Sequence, residues 1–255
     1  IVTQLQKYNV ASVRPEIVDP ETTKILLTSN VKFDEKATTK TANTLKSDVL
    51  TTITNYNTNT LTQFDGVFRY SKLTGLIDGT DSSILSNITT LKIRKDFTPT
   101  LGSSTKYNVY FRNALYNPHS GHNSDAGGIL ESSGFKISGD SSTVFYLDDD
   151  GQGNVRRYSF SGATRVYANN TQGTIDYDTG AITINSLSVL SVENIRGASS
   201  TKIELTVKPD SNDVTPVRDQ ILEIDTANSS ITVTADTFVG GSAGAGVGYT
   251  TTTSY

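Results

Sequence analysis

A change of hydrophobic period early in the chain is the feature that most constrains its fold. Along residues 24–33, apolar side chains alternate with mostly polar ones, and this period of two predicts a β-strand in a sheet that is covered on one side. The spacing of apolar residues then lengthens to between three and four, which predicts an amphipathic helix over residues 41–58. The apolar stripe of this helix consists of Leu45, Val49, Ile53 and Tyr56. The sequence therefore predicts a helix packed on a sheet.

Two further elements extend this layer. A second, shorter helix is predicted from apolar residues at helical spacing, and Asp78-Gly79 is a typical helix end. Its apolar positions are Tyr70, Leu73 and Ile77. Residues 84–95 return to a strand pattern. The first helix contains several threonines, which are poor helix formers, so packing against the sheet must supply most of its stability. Residues 1–97 are therefore interpreted as a small α/β domain.

The rest of the chain has the composition of a β protein with long polar loops. Only 35% of residues are hydrophobic and 19% are charged, and Thr, Ser and Asn, which suit strands and turns, fill the difference. Residues 98–142 are predicted to form an extended linker that could include two edge strands. Residues 143–239 are predicted to form an antiparallel β domain, because turn residues recur between alternating apolar runs. The predicted hairpin turns lie at residues 148–151, 178–180 and 226–229.

These patterns together predict an α+β fold. A small α/β layer, made of strands and two helices, is followed by an antiparallel β-rich domain. Residues 240–255 consist mainly of Gly, Ala, Thr and Ser without apolar periodicity, and they are predicted to form a flexible tail, or an arm that becomes ordered only against a partner.

Charge and composition exclude several function classes. The formal net charge is -4 and no long run of Lys or Arg occurs, so neither nucleic acid nor an anionic membrane surface is an expected partner. No apolar stretch approaches the roughly 20 residues of a membrane span. Cysteine is absent, which excludes thiolate chemistry and disulfides. Methionine is also absent and the first residue is Ile1, which indicates a fragment or a processed product.

Two motifs could in principle bind a metal ion. His119, His122 and Asp125 form a His-x-x-His-x-x-Asp pattern, but the loop around them fixes no geometry and supplies no evident fourth ligand. A polar loop with two surface imidazoles is the favoured interpretation. The run that begins at Asp148 resembles a calcium loop, yet Gln152 and Ser159 occupy the fifth and twelfth positions, where the calcium loop has ligands. A hairpin turn explains that run, and no cofactor is predicted.

No arrangement in the sequence is typical of a catalytic site. No Gly-x-Ser-x-Gly elbow surrounds a serine, and a serine–histidine pair would have to use His119 or His122. Carboxylates such as Asp78 and Asp81 lie close together, but capping of helices and turns is their more common role. The chain is therefore predicted not to be an enzyme.

A set of spaced residues after the long helix gives a positive indication. The set consists of Phe64, Phe68, Ser71, Lys72, Leu73, Ile77, Asp78, Asp81 and Ser83. In this order and spacing it resembles the C-terminal region of the inner-ring baseplate wedge protein, the gene-six product, of T-even-type contractile-tailed bacteriophages. The strand at residues 24–33 and the helix after it match that family in position. The resemblance covers roughly residues 10–97.

The resemblance implies an architectural role in the tail baseplate of a virion that is assembled in the cytoplasm of the bacterial host. Members of that family form homodimers that join into a ring around the tail hub, bind other wedge proteins and help couple baseplate rearrangement to sheath contraction. On spacing, Phe64, Phe68, Leu73 and Ile77 are expected to pack the short helix onto the sheet. A β-rich adhesin or receptor-binding module is the alternative, and a glycan hydrolase with paired carboxylates is a third hypothesis.

Overall fold

The computed structural model describes residues 21–122, 128–217 and 220–236. Two β-sheets and two helices share one apolar core. The predicted tail at 240–255 lies outside the described residues. The elements are β1 (Glu21–Phe33), α1 (Ala42–Tyr56), a π-helical turn (Asn57–Leu61), α2 (Tyr70–Asp78), β2 (Ile84–Phe97), β3 (Thr105–Tyr110), β4 (Glu131–Ser132), β5 (Phe135–Ile137), β6 (Asp140–Asp149), β7 (Asn154–Ser161), β8 (Thr164–Asp176), β9 (Ala181–Leu187), β10 (Val189–Val192), β11 (Ile203–Val207), β12 (Gln220–Ile224) and β13 (Ser230–Ala235).

The first sheet has β1 near its centre. Its strand order is β12-β1-β2-β11-β4, and β13 also pairs with β1. β1 runs antiparallel to β2 but parallel to both β12 and β13. Every second residue of β1 is buried, as the period of two predicted; these residues are Thr23, Ile25, Leu27, Ser29, Val31 and Phe33.

The two predicted helices are present and their apolar stripes are buried. Thr41 caps the start of α1, because its side-chain oxygen accepts a hydrogen bond from the Thr44 amide at 3.2 Å. Hydroxyls on the exposed side of α1 donate to main-chain carbonyls one turn earlier, as Thr51 does to Ser47 at 2.9 Å. Gly79 ends α2. Among the described residues, neither helix is long and apolar enough to cross a membrane.

The second sheet is antiparallel and has the order β10-β5-β6-β7-β8-β9-β3. The predicted hairpins β6–β7 and β8–β9 are both present. The predicted linker at residues 98–142 contributes β3 and β5 to this sheet. β3 lies at its edge, as the predicted edge strands would, whereas β5 is paired on both sides. The α+β class, with a small α/β region and a β-rich region, is therefore confirmed.

The third predicted hairpin is wrong, and with it the boundary of the second domain. β12 and β13 do not pair with each other; both add to the same edge of β1, one after the other. β11 pairs with β2. Residues 203–235 therefore return to the first sheet instead of completing the predicted 143–239 domain. The residues between β12 and β13 form a bulge along a sheet edge and not a chain reversal.

Two isoleucines of β2 provide a matched test of this core. Ile93 is fully buried, whereas the side chain of Ile88 is 69% exposed on the same strand. We expect Ile93→Ala to lower the free energy of unfolding by about 2–5 kcal/mol, because it removes buried methyl groups and leaves a cavity. Ile88→Ala should change it by less than about 0.5 kcal/mol. Urea denaturation measures both, and equal effects would contradict the described burial.

Candidate functional site

An exposed aromatic side chain stands on a tightly held turn between the two helices. The side chain of Phe64 is 70% exposed. We call residues 63–66 the Phe64 turn. Asp65 has a φ of 67°, a left-handed conformation that is uncommon for residues other than glycine. A Cβ atom on Gly66 would lie 2.5 Å from the carbonyl oxygens of Thr60 and Leu61, so only glycine fits there. The turn is thus packed directly on the π-helical segment.

This geometry corrects the expected packing role of Phe64. The four-residue spacing from Phe64 to Phe68 does not lie on a helix, because α2 begins only at Tyr70. Phe68 lies in an extended stretch, is fully buried and exchanges main-chain hydrogen bonds with Val214 at 3.0 and 3.1 Å. Its ring meets Tyr56 edge to face, with the centroids 6.2 Å apart. Phe68 packs as expected, and Phe64 points into solvent.

The start of α2 is held by a residue that sequence reasoning did not single out. Asp213, more than 140 positions along the chain, accepts a hydrogen bond from the Tyr70 amide at 2.9 Å and another from the Arg69 guanidinium at 2.8 Å. The Arg69 hydrogen bond, followed by that of the Tyr70 amide, holds the pKa of Asp213 below its ordinary value. No local signal identifies such a cap, because its partner is remote in sequence.

The remaining motif residues divide between core and surface. Leu73 and Ile77 are fully buried on the inner face of α2, while Ser71 and Lys72 are exposed to solvent on the same helix. Asp78 accepts a hydrogen bond from the Asn87 side-chain amide at 2.7 Å and so ties α2 to β2.

Asp81 and Ser83 form the turn before β2. Asp81 accepts hydrogen bonds from the Ser83 amide and hydroxyl at 3.0 and 2.7 Å, and its other oxygen lies 2.8 Å from the Lys40 ammonium. Lys40 also pairs with Asp48 of α1 at 2.9 Å. The hydrogen bond with Asp81, then that with Asp48, raises the pKa of Lys40 to about 12, and Lys40 in turn lowers the pKa of Asp81. Asp81 and Ser83 therefore stabilise this turn through these contacts.

The two histidines contact each other in the described part of their loop. Nδ1 of His122 lies 3.1 Å from Nε2 of His119, and the rings meet edge to face. The Tyr116 ring packs against His122, and the Lys208 ammonium lies 3.5 Å from the centre of the Tyr116 ring. Asp125 lies outside the described residues. Within the described ranges, no group of three His, Asp or Glu side chains is placed to hold a metal ion.

The acidic run of the β6–β7 hairpin does not gather its carboxylates around one point. Asp148 faces one side of β6, where Arg156, Arg165 and Tyr167 bind its carboxylate at 2.9, 2.6 and 2.9 Å. Asp150 accepts hydrogen bonds from the Gln152 and Asn154 amides and closes the turn. These two carboxylates are engaged within the hairpin itself.

Asp149 points the other way and is fully buried. Its carboxylate accepts hydrogen bonds from the Ile129 and Leu130 amides at 2.7 and 2.8 Å and from the Tyr177 hydroxyl at 2.6 Å. Burial raises the pKa of Asp149 above its ordinary value, against the effect of these donors. A Cβ atom on Gly128, which has a φ of 71°, would overlap the Asp149 carboxylate. Asp149 therefore anchors the preceding segment to the hairpin.

In the geometry described above, the polar clusters make structural contacts: their hydrogen bonds and ion pairs connect helices, strands and turns to each other. Residues 24–96 match the family described as baseplate structural protein gp6, C-terminal domain III. The resemblance to the gene-six baseplate wedge protein is thereby confirmed, and the chain is placed among viral structural proteins of the tail baseplate. No curated protein matches the chain.

The remote cap of α2 can be tested by removing it. We expect Asp213→Ala to lower the free energy of unfolding by about 1 kcal/mol, because the Tyr70 amide loses its acceptor; the half-exposed ion pair with Arg69 adds little. Urea denaturation at neutral pH measures the change. Asp210→Ala is the control, since Asp210 is exposed and its described contact is through the main chain. Equal stability of the two variants would contradict the cap.

The buried Asp149 predicts a specific dependence of stability on pH. Its pKa is raised in the folded state, so its contribution is greatest below the ordinary carboxyl pKa and is lost as the pH rises through the folded value. We expect the free energy of unfolding of wild type, relative to that of Asp149→Asn, to fall between pH 4 and pH 8. The fall should be about 1.4 kcal/mol for each tenfold difference between the acid dissociation constants of Asp149 in the folded and unfolded states. Urea midpoints across this range measure it. The exposed Asp178→Asn should follow the wild-type profile, and parallel profiles for wild type and Asp149→Asn would refute the burial argument.

Proposed function

We propose that this chain is a structural subunit of a phage tail baseplate wedge that forms dimers within the inner ring around the tail hub. In this role it binds other wedge proteins and helps couple baseplate rearrangement to sheath contraction. Its location is the tail baseplate of the virion, after assembly in the cytoplasm of the bacterial host. The match of residues 24–96 to a baseplate structural domain carries this proposal.

The Phe64 turn supports an assembly role on physical grounds. Large aromatic side chains are enriched among the residues that contribute most to protein interfaces. Most such anchors gain affinity when they are held in place before binding, because less conformational entropy is lost. Phe64 is exposed in the family-matched region and its turn is held by Gly66 against the π-helical segment. We propose that Phe64 is an anchor for a neighbouring baseplate protein, with Ser71 and Lys72 on the exposed side of α2 as further contacts.

The proposed role requires no catalysis. The acidic residues that could be paired in a hydrolase are already engaged in structural contacts: Asp81 with Lys40 and Ser83, Asp148 with two arginines, and Asp149 with main-chain amides. Engaged in this way, these carboxylates fasten turns and strands to each other.

The adhesin alternative has one observation in its favour. Phe160 near the tip of the β7–β8 hairpin is 50% exposed, and its ring packs edge to face on Tyr146 and Tyr158. Such an aromatic surface could bind a receptor or a glycan. It lies outside residues 24–96, so the two functions use different surfaces and can be separated by mutation.

A matched pair of phenylalanine variants tests the proposed function. We expect Phe64→Ser to weaken binding to the neighbouring wedge proteins of the same phage by about 2 kcal/mol or more, because an interface anchor is lost. Its free energy of unfolding should stay nearly unchanged, since the side chain is exposed. Phe160→Ser should bind as wild type does. Sedimentation of the full chain mixed with those proteins measures incorporation.

A wild-type chain that binds none of the wedge proteins would overturn the proposed function, and specific binding on a glycan array that is lost in Phe160→Ser would then establish the adhesin. A Phe64→Ser variant that assembles normally would overturn only the assignment of Phe64 as the anchor.

A further inference from the structure

A polar cleft lies where the chain passes from the first sheet to the second, at residues 133 and 134 between β4 and β5. Side chains of β11 in the first sheet and of β6 in the second sheet contribute to its walls, and residues 193–196 after β10 complete its lining. Its volume is about 420 Å³, which lies within the range of small-molecule binding sites. The cleft is therefore large enough to hold a ligand.

Hydrogen bonds hold the parts of this cleft in place. The Ser133 amide donates to the Glu204 carbonyl at 3.0 Å, and the Ser133 hydroxyl accepts from the Glu204 amide at 3.0 Å. The Glu193 amide donates to the Gly134 carbonyl at 3.0 Å. A Cβ atom on Gly134 would lie only 2.8 Å from Cγ1 of Val144, so this segment packs directly on β6. A ligand would meet a cleft that is already formed, and less conformational entropy is lost on binding to such a site.

The carboxylates of the cleft are paired with cations of the same chain. Each of its three glutamates has a cationic partner within 3.5 Å; the pairs are Glu204 with Arg196, Glu131 with Lys92 and Glu193 with Lys136. The rest of the polar lining includes the hydroxyls of Ser132 and Thr206 and the amide of Asn194. Carboxylates, hydroxyls and amides can take part in more than one hydrogen bond each. The cleft is thus rich in hydrogen-bonding groups, while its charges largely balance.

One wall of the cleft is aromatic and continues beyond it. Tyr146 of β6 lines the cleft and is partly exposed. Its ring stacks on Tyr158 with the centroids 5.7 Å apart, and it meets the ring of Phe160 edge to face at 5.4 Å. Phe160 is 50% exposed. An aromatic surface therefore extends from the cleft along β7, and such rings offer a large apolar contact area.

We propose that this cleft binds a neutral oligosaccharide. Sugar rings carry hydroxyls that both donate and accept hydrogen bonds, and their C–H faces pack on aromatic rings. The paired carboxylates and the Asn194 amide bind the hydroxyls of one sugar unit, whose apolar face packs on Tyr146, and the chain of sugars continues towards Phe160. A charged ligand would have to compete with the ion pairs of the cleft, such as the one in which the Arg196 guanidinium lies 2.7 and 2.8 Å from the two Glu204 oxygens. A neutral ligand leaves these pairs intact.

The test applies the full 255-residue chain to an array of neutral and acidic oligosaccharides, followed by calorimetric titration of the neutral oligosaccharide that binds most strongly. Tyr146→Ala and Asn194→Ala should each weaken binding by about tenfold or more, because a ring or an amide of the cleft is lost. Tyr146→Phe keeps the ring and should bind as wild type does. Tyr110→Ala is the control, since Tyr110 is 47% exposed on β3 at the edge of the same sheet. Urea midpoints establish that the variants fold, and Asn194 is exposed, so its replacement should leave the midpoint unchanged.

Three results would overturn the oligosaccharide proposal: a wild-type chain that binds no neutral oligosaccharide, binding that is restricted to acidic ones, or binding that neither Tyr146→Ala nor Asn194→Ala weakens. The proposal does not rest on the baseplate role, because the cleft includes none of the residues proposed for wedge contacts. Asn194→Ala should therefore bind wedge proteins in sedimentation experiments as wild type does. Loss of sugar binding and loss of wedge binding are thus separate outcomes.

Discussion

The first sheet depends on the position of β1 between two sets of strands from different parts of the chain. β2 pairs with it on one side, and β12 and β13 pair with it on the other from roughly 200 residues away. The family-matched residues 24–96 supply the helices and the β1–β2 pair, but β11, β12, β13 and Asp213 complete them. The matched domain therefore cannot bury its full core without the chain that follows. Closing such a long loop costs entropy before any contact is gained, so this sheet should form late in folding.

The sequence was a good guide wherever the determining contacts are local. The period of two in β1 and the helical periods of α1 and α2 follow from which faces are buried, and their ends lie close to the predicted positions. The segment from β12 to β13 shows where this reasoning fails. Asp225 and Asn228 bond as turn residues do, but the Ser229 hydroxyl accepts a hydrogen bond from the Leu27 amide at 3.0 Å. The same hydrogen bonds that would close a hairpin turn here form a bulge beside β1. Whether this segment becomes a hairpin or a bulge depends on its pairing with the distant strand β1.

The residues of the candidate site were likewise predicted correctly where the local pattern determines their position, and not where a distant contact does. The sequence identified the motif, and Phe68, Leu73 and Ile77 are buried as their apolar character predicts. Phe64 was misplaced because a spacing of four was interpreted as helical, although Asp65-Gly66 after it is a common turn signal. Asp213 could not be predicted at all. Its role depends on tertiary contact with the start of α2, and sequence separation hides such contacts.

The buried ion cluster at Arg94 shows how the distant strands are kept in register. The Arg94 guanidinium lies 3.0 Å from both Asp96 and Asp225 and 3.3 Å from Glu204, and so joins β2, β11 and the bulge after β12. Burial disfavours the charged form of Asp225, yet hydrogen bonds from Asn228 and the charge of Arg94 lower its pKa below the ordinary value. Such buried pairs contribute little net stability compared with apolar residues, but loss of one partner costs about 3–5 kcal/mol. A strand that slipped by one residue would leave charges of this cluster unpaired in the interior. The cluster therefore destabilises wrong strand registers more than it stabilises the right one. In a sheet whose neighbouring strands lie far apart in sequence, this difference in free energy helps to select the correct register.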